Sequence, residues 1–357
     1  MKHLGDITLI DGSKIEPVDV ITFGSPCQDL SIAGKRAGLA GQRSGLFMEA
    51  VRIIKQMQEA TNGEYPKYAV WENVPGAFSS NKGKDFLAVL EELIRIKEPA
   101  ISLPEPPKSK WSKAGGVSGS GWSLAWRTMD AQYWGVPQRR LRISLVLDLT
   151  GQRAGEILFE PESLRGHFAP SITPVNAASR TAENGAGTAD RADAIPINLY
   201  DARGNGDGML SPTITGDHNS RITDYTSVVI EKIIRWIVRR LTPVECERLQ
   251  GYPDGWTDIG EWVDSKGRIH KAADTPRYKA LGNSIALPQW YYVLGGIADR
   301  LPENATLGSL FDGIGGFPYV WSNLHNGNKS LCVWASEIEE FPIAVTKKHF
   351  PENFAVG

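Results

Sequence analysis

Three cysteines in 357 residues, at positions 27, 246 and 332, are too few and too odd in number for a disulfide framework. Their sparseness points to a reducing compartment. The six histidines (3, 167, 218, 270, 325 and 349) are scattered, and with no HxxxH or CxxC pair a metal site has no support. An excess of one charge is missing too: 39 basic and 41 acidic residues leave a formal charge of −2. Any nucleic-acid binding must then come from local basic patches rather than a global field. No apolar run is long enough to span a bilayer, no secretory pattern opens the chain, and no internal repeat is evident. These absences lead to the expectation of a cytoplasmic protein.

What is present is an ordinary globular composition, 41% hydrophobic and 22% charged. The length exceeds what one core usually holds, which predicts a large domain and a smaller one. The run 18–23 (Val-Asp-Val-Ile-Thr-Phe) reads as a buried strand that Pro26 ends. Cys27 thus falls just past a strand's carboxyl end, where open α/β sheets keep their ligand crevice. A lone thiol there is either a small buried hydrophobe or a nucleophile. The second role needs electropositive company, because a free pKa near ~8.5 leaves little thiolate at neutral pH. Lys35, Arg36 and Arg43 follow in a Gly-rich loop, with no acid between Asp29 and Glu49.

Further on, Phe47, Val51, Ile54 and Met57 share one face of a predicted helix. A strand over 65–71 closes on Glu72-Asn73-Val74, and a helix is expected over 85–97. The Pro-, Ser- and Gly-rich stretch 101–121 reads as a loop. Strands over 122–127 and 142–147 flank Tyr133-Trp134-Gly135-Val136-Pro137-Gln138-Arg139-Arg140-Leu141-Arg142. Such alternation predicts an α/β fold with a mainly parallel sheet. Large apolar residues then thin out over 151–225, a separate loop-rich module with strands at 195–200 and 227–230. Thr242, Pro243, Glu245 and Gly251 punctuate a capped helix. A helix over 280–299 follows, then a strand turning through glycines over 307–316, a strand over 331–335 and a helix to His349. His3 to Ile7 is expected to be a short strand ending in an acid.

The turn Asp312-Gly313-Ile314-Gly315-Gly316 fails as a dinucleotide fingerprint, since Pro318 stands where the third glycine belongs. Glu337 ends the next strand, about 20 residues on, where an acid accepts from ribose hydroxyls. That pair suits an adenosine ligand lacking a pyrophosphate. Glu72 at a strand end is either solvated or, beside a thiolate, able to protonate or hydrogen-bond a ring nitrogen. Arg140 and Arg142 share one face if extended: a solvated basic run, or an anion site.

Jointly, Ser25-Pro26-Cys27-Gln28-Asp29-Leu30-Ser31, Leu46-Phe47-Met48-Glu49, Glu72-Asn73-Val74, the segment Gln138 with Arg140 and Arg142, and Gly282-Asn283-Ser284 resemble the DNA cytosine-5 methyltransferases of bacteria and phage. The resemblance covers most of the chain outside about 151–235. It implies a Rossmann-like S-adenosylmethionine-dependent methyltransferase fold, α/β with a mainly parallel sheet, formed by 1–150 and 275–357. A smaller, loop-rich target-recognition domain would occupy 151–274. It further implies that Cys27 is the nucleophile, that Glu72 contacts cytosine N3, and that Arg140 and Arg142 support it. Cofactor contacts would come from Phe311, Asp312, Gly313, Ile314, Gly315, Gly316, Glu337, Ile338, Asp6, Ile7, Pro26, Leu46, Asn283 and Ser284. Ser31, Arg36, Arg43, Arg240 and Gln250 would meet DNA, with Arg203, Asn205 and Arg221 as candidate base readers. The implied cofactor is S-adenosyl-L-methionine and the implied partner double-stranded DNA, with room for a cognate restriction endonuclease and no membrane; a monomer is expected. Two other classes stay in view: a tRNA cytosine-5 methyltransferase and a non-catalytic DNA-binding subunit. One departure is large. The Gly-rich turn usually opens such a chain and the Gly-Asn-Ser helix ends it, whereas here the turn follows that helix, so the sequence reads as circularly permuted.

Overall fold

The computed structural model describes residues 1–25, 45–159, 198–201, 227–232 and 236–352. Its frame is an eight-stranded sheet. In chain order the strands are β1 (Lys2–His3), β2 (Val20–Phe23), β3 (Tyr68–Asn73), β4 (Ala114–Gly119), β5 (Trp122–Asp130) and β6 (Leu141–Asp148). The antiparallel β7 (Asn198–Asp201), β8 (Ser227–Lys232) and β9 (Trp236–Arg240) form a separate sheet, and β10 (Trp262–Val263) with β11 (Ile269–His270) a small hairpin. The late strands β12 (Leu307–Leu310) and β13 (Cys332–Ser336) return to the main sheet, whose order is β1-β13-β12-β2-β3-β6-β5-β4. From β1 to β3 all pairings are parallel; from β3 to β4 all are antiparallel.

Period-two alternation splits the strand side chains between two cores. Val20, Tyr68, Val70, Val146 and Leu307 pack beneath the helices Leu287–Ala298 and Gly316–Leu324. Ile21, Phe23, Ala69, Trp71 and Leu145 face the helices Gly45–Ala60 and Lys84–Ile94. On that second face Phe23, Phe47, Trp71 and Phe86 form a chain of rings with centroids 6.0–6.2 Å apart. Aromatic contacts of this kind add to the burial of their area and fix the helices over the sheet. The predicted cap is present in full. Thr242 and Glu245 form a capping box, Pro243 opens the helix Pro243–Gln250, and Gly251 ends it in the left-handed region.

Four sequence expectations are corrected. Residues 114–119 are an edge strand, not loop: a Cβ at Gly115 or Gly119 would collide with the rings of Trp126 and Trp122, so glycine is needed where alternation would have shown the strand. The helix expected over 280–299 is two helices, Asp274–Asn283 and Leu287–Ala298, because Pro288 lacks a donor and fits only in a first turn. At the start, the strand is only Lys2–His3. Gly5 turns the chain, and Asp6 caps a single 3-10 turn, Ile7–Leu9. β9 continues directly into the capped helix and was not anticipated. The Met1 ammonium donates to the Pro351 carbonyl at 3.3 Å. No helix among the described residues is long and apolar enough to cross a membrane.

Candidate active site

Strand register brings the scattered motifs together. Leu310 pairs with Phe23, Phe23 with Trp71, and Leu310 on its other side with Ser336. Glu337, Phe311 and Gly24, each the first residue past its strand, and Glu72, still inside β3, therefore stand in one row, neighbours about 4.8 Å apart. Between β12 and β2 the connections diverge, β12 leading out to β13 and β2 to β3. That is a topological switch point, where open α/β sheets bind ligands.

On the β2–β3 side the side chains are tightly held. Arg142 Nε lies 2.9 Å from Glu72 Oε1, with side-chain exposures of 13% and 15%. Gly24 makes room for this carboxylate, because a Cβ there would stand 3.3 Å from Glu72 Oε2. Trp71 Nε1 donates to Ser25 Oγ at 3.1 Å, and Asn73 Nδ2 donates to the Ser25 carbonyl at 2.9 Å. Asn73 Oδ1 in turn accepts from Val74 N at 2.8 Å. The chain is thus pinned from two neighbours up to Ser25. Cys27 and Pro26 lie outside the described residues, as do Ser31, Arg36, Arg43, Arg203, Asn205 and Arg221.

Arg140, expected to support Glu72, is buried. Its Nη2 donates to the carbonyls of Gly282 (3.1 Å) and Ser284, across the break between the two helices. Burial, and then the neighbouring Arg142 charge, push its guanidinium down to about 9. These bonds tie Arg140 to the Gly-Asn-Ser segment, and its guanidinium also feels the Glu72 charge. Within that segment Asn283 is exposed, while the buried Ser284 hydroxyl shares a 2.5 Å hydrogen bond with Tyr252. A Cβ at Gly316 would strike Tyr252 Oη, so the Gly-rich turn packs directly on this pair.

On the β12–β13 side the turn is built from backbone. Gly313 adopts φ +58°, which favours glycine, and a Cβ there would meet nothing within 4 Å. The turn therefore leaves an open cradle. Gly313 N donates to Glu337 Oε2 at 2.8 Å, and the amides of Ile338 and Glu339 donate to Oε1 at 2.7 and 2.9 Å. Burial pushes the Asp312 carboxyl up to about 8, and the nearby Glu337 charge adds to the rise. Phe311 and Leu46 are half-buried against the second core, and Ile314 is buried in the first. A cleft of about 420 Å³ opens beside Glu337, lined also by Gly5, Asp6, Ile338, Val263 and Ser265. Asp6 is exposed there, with Oδ1 taken by the Thr8 amide and hydroxyl at 2.9 and 2.8 Å.

Two assignments are corrected. Ile7 is 3% exposed and packs in the second core, so it does not line the cleft. Gln250 is fully buried and donates to the Leu281 carbonyl at 2.7 Å, so it is not a DNA contact but a tie between two helices. Arg240 is exposed at the end of β9. Sequence reasoning missed Tyr252 and the β10–β11 hairpin. The one signal was the aromatic spacing Tyr252, Trp256, Trp262 within an otherwise polar stretch.

Comparison with known proteins adds the following. Residues 1–97 match the family described as C-5 cytosine-specific DNA methylase. A protein of Escherichia phage P1 named DNA N-6-adenine-methyltransferase is 29% identical, over 84% of this chain and 55% of its own length. Type II methyltransferase M.BsuFI of Bacillus subtilis is 27% identical over 84% of this chain and 62% of its own. Type II methyltransferase M.HpaII of Haemophilus parainfluenzae is 28% identical over 80% and 73%. The chain spans between half and two thirds of the first two. Among solved structures, S. pombe Dnmt2 methyltransferase shares the fold, with a TM-score of 0.50 over 83% of each chain at 16% identity.

Proposed function

We propose, from the match of residues 1–97 to the C-5 cytosine-specific DNA methylases and the likeness to type II methyltransferases, that this chain methylates C5 of a flipped-out cytosine in duplex DNA. The observation that carries the reading is the row of strand ends, which sets the Ser25 segment beside the Glu72–Arg142 pair and next to the Gly-rich turn. In the sequence a single residue, Pro26, separates Ser25 from Cys27.

In this reading Cys27 thiolate adds to C6 of the target cytosine while Glu72, oriented by Arg142, stabilises the ring at N3. Addition makes C5 nucleophilic. The Gly313 cradle, Glu337, Ile338 and Asp6 would hold S-adenosylmethionine, which would supply an electrophilic methyl group when bound. Loss of the C5 proton and departure of the Cys27 sulfur restore the aromatic ring. Covalent catalysis of this kind divides one hard step into easier ones. The ring atoms are inaccessible in a stacked duplex, so the base must swing out. Ser31, Arg36, Arg43 and Arg240 are assigned to DNA, and residues 151–274 to target recognition. The order of elements supports the permuted reading, since β12 comes late in the chain yet lies in the sheet beside β2. The type II relatives support a place in restriction-modification within a bacterial or phage-infected cell.

The printed name of the phage relative favours a second reading, methylation of adenine N6. Methyl transfer to unmethylated duplex DNA and to tRNA, followed by nucleoside mass spectrometry, separates the possibilities. We expect 5-methyldeoxycytidine from the duplex. N6-methyldeoxyadenosine, or 5-methylcytidine from tRNA alone, would overturn the assignment.

A further inference from the structure

The β10–β11 hairpin lies within the stretch assigned above to target recognition, yet its residues line the outer side of the cleft that holds Asp6, Glu337 and Ile338. Val263 is 59% exposed and Ile338 is 68% exposed, and both line this one cleft. Large apolar side chains left in water at a concave site mark a place where an apolar ligand surface is covered. We propose that the hairpin is a wall of the cofactor site. Val263 and Ile338 clamp the adenine ring, and Ser265 latches the wall shut. This rests on the S-adenosylmethionine reading given above.

The wall is held by definite contacts. Ser265 N donates to Glu340 Oε2 at 3.0 Å and its hydroxyl donates to Glu340 Oε1. Trp262 packs edge-on against Phe341 at 5.6 Å and stacks on His270 at 4.2 Å. Inside the hairpin the buried Asp264 carboxylate accepts from the amides of Lys266 and Arg268, both at 2.9 Å. The hairpin is therefore internally rigid. Its junction with the helix Glu340–His349 joins an exposed serine–carboxylate contact to the edge of the Trp262 ring on the buried Phe341. Lys279 reinforces the same corner by pairing with Glu339 at 2.7 Å. A stiff flap whose polar latch, Ser265 to Glu340, lies in water suits a ligand that must be exchanged at each turnover.

Equilibrium dialysis of S-adenosylhomocysteine against the full chain tests this without any need for turnover. Val263→Ser is expected to weaken binding about tenfold, whereas Val263→Ile keeps it within about twofold. Ser265→Ala is expected to speed release at least threefold in a displacement experiment, with an unchanged melting temperature. Wild type that binds while Val263→Ser binds equally well would overturn the inference alone. Wild type that binds no S-adenosylhomocysteine would remove the cofactor reading and this inference with it.

Discussion

The two sides of the switch point are built differently. On the β2–β3 side the working groups are packed: Asn73 is 2% exposed, Ser25 is held from two neighbours, and Glu72 is paired with Arg142 in a half-closed site. On the β12–β13 side they are backbone amides, an open cradle at Gly313 and exposed Ile338 and Val263. Bond-making demands fixed geometry, since displacement of about 1 Å can cost about a hundredfold in rate. A cofactor exchanged at each turnover demands access instead. The contrast teaches that, in the proposed reading, catalytic and exchange functions sit on adjacent strands but draw on opposite kinds of order.

The sharpest way to break that contrast is at its packed side. Arg142→Ala should lower kcat by about 10²- to 10³-fold, because the carboxylate loses its orienting charge in a partly buried site. KM for S-adenosylmethionine should stay within about threefold. A rise in that KM as large as the fall in kcat would erase the distinction between the sides. Paired glycine substitutions sharpen it further. Gly24→Ala presses on Glu72 and should cost about tenfold in kcat, whereas Gly313→Ala fills the cradle and should raise the cofactor KM by a similar factor.

A smaller effect separates the sides by pH. The folded Asp312 carboxyl sits at about 8, while an unfolded aspartate titrates near ~3.9. The unfolded chain then binds fewer protons between these values, so stability contributed by protonated Asp312 is full below about 4 and is lost as pH rises through about 8. Asp312→Asn should flatten that slope in urea-unfolding series from pH 5 to 9; an unchanged slope would contradict the assignment. Smallest are the changes around the capped helix. Gln250→Ala should cost about 1 kcal/mol in stability and leave the salt dependence of DNA binding unchanged. Arg240→Ala should do the reverse, reducing the salt slope by about one.

How far the sequence could be read depended on how local each signal was. The Thr242–Gly251 helix was legible because caps are local chemistry. The pairing of Glu72 with Arg142 was approachable because each ends or begins a strand with a clear pattern. Burial of Gln250 and Arg140 was not legible, since the carbonyls of Leu281, Gly282 and Ser284 that take them up exist only at a helix break 31 to 144 residues away. The edge strand at 114–119 was hidden by its glycines, and the β10–β11 hairpin by strands of two residues, too short to show any period.

The central claim is a transient bond between Cys27 and a pyrimidine, beside a preset Glu72–Arg142 pair. Duplex DNA carrying 5-fluorocytosine at methylated positions blocks loss of the C5 substituent. Incubation with S-adenosylmethionine should therefore leave a complex that survives denaturation, and peptide mass spectrometry should locate the attachment at Cys27. Absence of any such complex, or its persistence in Cys27→Ala, would contradict the account.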